Sequence, residues 1–380
     1  LILLSAGTAA CRRAAAGQVE ELAAVANWSL VADLLRRRRL LTLLGPRLVE
    51  LAGDRVGDDF AREVTLALDA GRRQGVLLYA IADRVTGALA AAGIRSTTLK
   101  GPALSEVLYG DPGRRPSSDI DLLIAREQLN DAVEVVRELG YEAPIDHVTD
   151  DGLPLLHFAL VHAHGQLLPV ELHWRIHWYE EDFAGERLLV PIGEPDSAWR
   201  PAPIDELVAL LLFYARDGFI DLRLATDLGA CWDAFGAGLR PGALDAPIAA
   251  HPALENVLLA SARAAEKTVG LPADRLIGHR PRLGRRSRIA VALASPNPHL
   301  SQSQLYADVG LIDGLLAPPG GFGAFLRRQV IPPREVLREH AQKARKRRAA
   351  TRLGNSLRVL RRYGLAMTRL RHAPEGIRPR

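Results

Sequence analysis

Cysteine is nearly absent from this 380-residue chain, with Cys11 and Cys231 the only two. That excludes a disulfide framework and a cysteine-based metal cluster. Long apolar runs are absent as well. The best, residues 207–215, falls far short of the roughly 20 residues a membrane-spanning helix needs. Lysine is the third scarcity: of 49 basic side chains only Lys100, Lys267, Lys343 and Lys346 are lysine. A lysine beside a motif is therefore conspicuous. No internal repeat occurs, and the one biased segment is arginine-rich, so a solenoid is excluded.

What remains is an ordinary globular composition, 48% hydrophobic and 24% charged, with length enough for about two domains and ample core. The opening Leu-Ile-Leu-Leu and Cys11 invite comparison with a lipoprotein signal. No basic segment precedes the apolar stretch, however, and Thr8 sits three before the cysteine. A plain amphipathic first helix and a cytoplasmic location are the expectations. Charge is uneven: residues 334–380 carry 15 Lys/Arg against 3 Asp/Glu, a net +12 where the whole chain has +5. The basic character belongs to the tail, while the body is acidic.

Periodicity divides the chain into four regions. Residues 1–92 show helical spacing, closed by Gly93. Residues 93–200 mix short strands and helices. Strands are expected at 94–99, 119–124, 155–162 and 167–174, the last two as a hairpin, with a helix at 127–139. Helical spacing returns over 201–330, including 204–215 and 222–235. Residues 331–380 form a basic tail with a long helix expected at 335–371. The fold class is α+β: a small mixed sheet flanked by N-terminal and C-terminal helical regions.

The chemistry concentrates in the middle. Leu99-Lys100-Gly101 is followed by Tyr109-Gly110-Asp111 and then by Arg115-Pro116-Ser117-Ser118-Asp119-Ile120-Asp121-Leu122-Leu123-Ile124. On a strand, alternate side chains share a face. Asp119 and Asp121 project together, while Ile120, Leu122 and Ile124 face the other way. Two adjacent carboxylates on an apolar strand repel each other unless a cation lies between them. Hard oxygen ligands suit Mg²⁺, which also binds phosphates. In the segment 167–174, Glu171 and His173 share the face opposite Leu168, Val170, Leu172 and Trp174. If this strand neighbours the aspartate strand, Glu171 completes a three-carboxylate cage for one or two metals, the arrangement used for in-line phosphoryl displacement.

This combination resembles a bacterial nucleotidyltransferase family often labelled uncharacterised, a branch of the polymerase-β-like superfamily. The similarity rests on Leu99-Lys100-Gly101, Tyr109-Gly110-Asp111, Arg115, Asp119-Ile120-Asp121 and Glu171-Leu172-His173-Trp174. It is tight over residues 94–180 and looser through Arg223 and Asp227 to Ile331-Pro332-Pro333. The superfamily's usual Gly-Ser pair is missing, and Gly101-Pro102 stands in its place. The resemblance implies that Asp119 and Asp121 are magnesium ligands in a site using a nucleoside triphosphate, ATP first among them.

The remaining assignments follow from chemistry. Glu171 is expected as a third ligand or as the base that deprotonates an acceptor hydroxyl. Lys100 and Arg115 are expected on the triphosphate, with Arg114 a rival for the same job. Gly101 either lets backbone N–H groups approach phosphates or is a turn glycine, and Gly113 likewise. Ser118 and His173 are expected to face the nucleotide. Histidines 157, 162, 164 and 177 match no zinc signature and read as strand-end or core residues. Trp174 and Trp178 read as core. Arg223 and Asp227, four apart on a helix, read as an intrahelical salt bridge. The basic tail is a solvated helix, a nucleic-acid contact or a membrane-surface helix; its single Tyr363 argues against base stacking.

Three functions are compatible with these residues. The leading one is magnesium-dependent transfer of a nucleoside monophosphate to a hydroxyl on a small molecule, a peptide natural product or a protein, with release of pyrophosphate. The second is a nucleotide-sugar glycosyltransferase using Asp119-x-Asp121, disfavoured by the helical residues that come first. The third is a non-catalytic nucleotide- or RNA-binding module.

Overall fold

The computed structural model describes residues 1–143, 156–165, 167–180, 182–191, 200–278, 283–294, 302–323, 327, 356–357 and 360–361. The expected basic helix at 335–371 lies almost wholly outside them. Among the described residues no helix is long and apolar enough to cross a membrane.

Helices open the chain: α1 (Ile2–Ala6), α2 (Ala9–Ala14), α3 (Ala16–Ala24), α4 (Trp28–Arg37), α5 (Leu41–Ala52) and α6 (Asp58–Ala91). At 34 residues α6 is about 51 Å long, using a rise of about 1.5 Å per residue. It stops where expected, with Gly93 at φ +72° just past its C-cap. The central segment contains β1 (Ser96–Thr98), α7 (Pro102–Tyr109), β2 (Ile120–Ile124), α8 (Leu129–Glu138), β3 (Tyr141–Glu142), β4 (His157–His162), β5 (Val170–His173) and α9 (Phe183–Arg187). The rest is helical: α10 (Pro203–Arg216), α11 (Leu222–Phe235), α12 (Asp245–Ala250), α13 (Glu255–Val269), α14 (Ala273–Ile277), α15 (Arg285–Leu293) and α16 (Gln302–Leu316).

The five strands form one mixed sheet in the order β1-β2-β5-β4-β3. β2 pairs antiparallel with β1 and parallel with β5, and β4 folds back antiparallel on β5 as the hairpin expectation requires. The expected strands are trimmed at their ends. Asp119 in particular precedes β2 by one residue.

Alternation then sorts the sheet's two faces. Ile120, Leu122 and Ile124 of β2, Val170 and Leu172 of β5, and Phe158 and Leu160 of β4 join one core with Leu78, Ile81, Val85 and Leu89 of α6 and Val133 and Val136 of α8. Trp174 belongs to this core, as expected. The other face carries Asp121, Glu171, His173 and His157. It is flanked by a second core to which α4, α5, α10, α11 and α13 all contribute. The N-terminal and C-terminal helices thus share one apolar core with residues of the central segment.

Candidate active site

The parallel register of β2 and β5 sets Asp121 directly opposite Glu171, and Leu123 opposite His173. On the far side of β5, His157 stands opposite His173 and Ala159 opposite Glu171. Four polar side chains therefore meet on one face, because each lies on the alternation phase opposite the apolar core.

Asp121 is buried, 5% exposed. Its Oδ1 lies 3.1 Å from Lys100 Nζ and 2.9 Å from His173 Nε2. The backbone delivers Lys100 to this position: the Leu99 N–H donates to the Asp121 carbonyl, extending the β1–β2 ladder by one bond. Burial pushes the Asp121 carboxyl upward, but Lys100 and the His173 hydrogen bond outweigh it and hold it well below the usual carboxylate range.

Asp119 behaves in the opposite way. Burial first, then repulsion from Asp121 and Glu171, raises its carboxyl above the ordinary range despite Lys100 and a hydrogen bond from Ser117 Oγ at 3.2 Å. Three carboxylates that repel one another mark a place where positive charge is wanted. This donor set fits a hard divalent cation. Among the described residues the donor atoms that come within 4.8 Å of one another are those of His157, Glu171 and His173, and the expected set of Asp119, Asp121 and Glu171 is not drawn together to that distance.

His157, expected as a strand-end or core residue, lies in this cluster. Its ring stacks on His173 with centroids 4.6 Å apart, and its Nε2 lies 3.4 Å from Glu171 Oε2, as does that of His173. Burial and the neighbouring His173 and Arg216 lower its pKa to about 3, so it is neutral. The signal for it lay in the β4 alternation, His157-x-Ala159, but only the pairing register could reveal its partner.

Helix α10 packs Phe213 against this face of the sheet. The Phe213 ring lies under Lys100 Nζ at 4.2 Å and under Arg216 Cζ at 4.8 Å, and meets the His173 ring edge-on at 6.2 Å. Nothing in the sequence motif pointed to Phe213 or Arg216.

Arg115 is found elsewhere. Its side chain is 5% exposed, and its Nε donates to Asp227 Oδ2 at 2.7 Å. Tyr109 Oη donates to the other oxygen of the same carboxylate at 2.7 Å. The guanidinium is committed to a buried pair rather than offered to a phosphate. The expected Arg223–Asp227 bridge is likewise replaced: Arg223 pairs with Asp221, the residue that caps α11, at 2.9 Å. Arg114 is half-buried, and burial lowers its pKa.

The two glycines part company. Gly101 adopts φ +83° and ψ −152° ahead of α7, and a β-carbon there would meet open space. Its role is conformational. At Gly113 a β-carbon would lie 2.2 Å from the Arg72 backbone nitrogen and 2.4 Å from the Gly71 carbonyl carbon. The 110–119 loop crosses α6 at this point with no room for a side chain. Asp111 to Arg72 at 2.8 Å and Gln74 Nε2 to the Ser117 carbonyl at 2.8 Å strap it down on either side. Ser118, at the end of this loop, accepts from Arg39 Nη1 at 3.2 Å.

Comparison with known proteins bears on this arrangement. No curated protein and no solved structure matches the chain. The model of the family described as uncharacterised nucleotidyltransferase matches residues 24–270, well over half the sequence. The matched span takes in α4 to α6, the whole sheet, and the roof supplied by α10. The helices on either side of the carboxylates thus fall within the family's own boundaries, and the chain belongs to the uncharacterised nucleotidyltransferase family.

Proposed function

We propose that this protein transfers a nucleoside monophosphate from a nucleoside triphosphate to a hydroxyl acceptor with release of pyrophosphate, and that Mg²⁺ is required. The observation that carries the reading is the opposition of Asp121 and Glu171 across β2 and β5, with Asp119 beside them holding a carboxyl raised by the other two. Asp119, Asp121 and Glu171 would hold the metal. Bound there, it would offset charge on the triphosphate and on the departing pyrophosphate.

The chain's own residues divide the remaining work. Lys100, already in the site, presents an ammonium to the phosphate chain once Asp121 is engaged elsewhere. Glu171 stands beside two imidazoles, His157 and His173, and can accept the proton of the acceptor hydroxyl. Arg115 supports the site indirectly by fixing α11 against the loop that carries Asp119. The roof formed by Phe213 keeps water from the buried carboxylate, which strengthens each charge interaction beneath it.

The nucleotide-sugar reading draws no support from the family. The non-catalytic reading differs in one observable, pyrophosphate. The decisive experiment is incubation with each α-labelled nucleoside triphosphate, Mg²⁺ and a cell extract as acceptor source. A labelled product with equimolar pyrophosphate is expected. No transfer from any of the four nucleotides would overturn the proposal.

A further inference from the structure

Arg39 occupies a position that normally belongs to glycine. Helix α4 ends with the Arg39 N–H donating to the Arg36 carbonyl and the Leu40 N–H reaching back to that of Leu35. This crossed pair closes a helix around one left-handed residue, usually glycine or asparagine. Here that residue is arginine at φ +55°. A β-carbon makes this conformation costly.

Among the described residues only one other non-glycine residue has positive φ, Phe219 at +61°. Phe219 is 2% exposed and packs on Tyr214 with ring centroids 5.4 Å apart, so burial offsets its strain. Arg39 has no such compensation. It is solvent-exposed, and the hydrogen bond its side chain makes among the described residues is the one to Ser118 Oγ. Ser118 directly precedes Asp119. The strained turn thus holds a guanidinium against the residue that precedes Asp119, where strain stored in the backbone serves placement rather than packing.

The site also lacks a free guanidinium of the expected origin. Lys100 is engaged by Asp121, and Arg115 is buried against Asp227. A triphosphate entering beside three carboxylates needs a cation that can leave its present partner at little cost. A single exposed hydrogen bond to a neutral hydroxyl is such a partner. The planar fork of arginine then matches two phosphate oxygens at once.

We propose that Arg39 binds the phosphate chain of the incoming nucleoside triphosphate, exchanging Ser118 for phosphate oxygens. This rests on the nucleotidyl-transfer reading given above, and it assigns to the N-terminal helices the contact that the sequence motif gave to Arg115.

The test is calorimetric titration of the full chain with Mg²⁺ and the four α,β-methylene nucleoside triphosphates, which cannot undergo transfer, and with the matching monophosphates. The proteins are wild type, Arg39→Gly and Arg39→Gln. Both variants are expected to bind the best triphosphate analogue at least tenfold more weakly, with monophosphate affinity within twofold of wild type. Arg39→Gly is expected to melt no lower than wild type, because glycine fits the left-handed turn. Triphosphate affinity within twofold of wild type in either variant would overturn the assignment while leaving the transfer reading intact. Equal losses for triphosphate and monophosphate would overturn it too, by showing an effect through the fold. A wild type that binds none of the eight nucleotides would remove the transfer reading itself, and the inference with it.

Discussion

Lys100 Nζ stands 3.1 Å from Asp121 Oδ1, a buried carboxylate whose other charged or polar contact is His173. The ammonium neutralises a charge that would be costly to bury alone. Replacing Lys100 with Met leaves that charge with the His173 hydrogen bond alone and frees it for a metal. The expected outcome is tighter binding of Mn²⁺ in the absence of nucleotide, at least threefold by titration, with a transfer rate at least tenfold lower. Unchanged Mn²⁺ affinity would show that the ammonium does not guard the carboxylate.

Asp119 and Asp121 should fail differently as asparagines. Both changes are expected to abolish transfer. Asp121→Asn deprives Lys100 and His173 of their charged partner and should cost about 2–3 kcal/mol of stability. Asp119→Asn removes a carboxyl already raised by burial and by its acidic neighbours, so at neutral pH the variant should melt higher than wild type. The sign follows from linkage: a raised carboxyl resists ionisation in the fold, and its penalty appears as pH rises through its ordinary range. The gain should therefore shrink on acidification. Melting curves at pH 7.5 and pH 4 separate the two variants.

Arg115 and Asp227 form a buried pair, 5% and 0% exposed. Arg115→Met should destabilise by about 3–5 kcal/mol, because Asp227 is left as an uncompensated buried charge. Adding Asp227→Asn should recover part of the loss, since the amide oxygen still accepts from Tyr109. Urea unfolding of both variants measures this. A stable Arg115→Met protein that loses only nucleotide affinity would restore the phosphate role to Arg115.

Gly113→Ala is expected to cost about 1–3 kcal/mol, the range for overpacking, because its β-carbon would meet the α6 backbone. Lifting the loop from α6 also moves Asp119, so transfer should fall along with stability. A neutral Gly113→Ala would mean that the loop crosses α6 less closely than described.

His177 supplies the pH dependence. It is fully buried, and burial together with Arg216 and Arg175 lowers its pKa to about 3. The folded form stays neutral where the unfolded chain takes up a proton. Stability is therefore complete above about pH 6.5 and lost as pH falls toward 3. His157 acts in the same sense, whereas the raised carboxyls of Asp217 and Asp313 oppose it. Comparing His177→Gln with wild type isolates one contribution. The variant should lose less stability between pH 7 and pH 5, read from urea midpoints.

The legible part of the site was what strand alternation controls. Asp121, Glu171 and His173 sit on one face because Ile120, Leu122, Val170 and Leu172 occupy the other. That β2 and β5 are neighbours stood as a condition in the sequence, and the pairing fulfils it. What stayed hidden depends on contacts between distant segments. Arg115 and Asp227 are 112 residues apart, and Arg39 and Ser118 are 79 apart. No local spacing encodes such pairs. The expected Arg223–Asp227 bridge does not form because Asp227 accepts from Arg115 and Tyr109 instead, while Arg223 pairs with Asp221 at the cap of α11. The glycine at 113 was visible as a turn residue, but its partner was the backbone of a helix forty residues earlier.

The roof over the carboxylates has a consequence for the order in which this protein becomes competent. Asp119, Asp121, Glu171 and His173 all leave the ribosome before Phe213, which covers Lys100 and meets His173. A nascent chain that ends at Trp174 contains both acidic strands but not the ring that lies against Lys100 and His173. Lys100 and His173 gain their aromatic neighbour only once the helix bearing Phe213 has been made and docked, so a chain cut short before it leaves this polar face without its cover from α10.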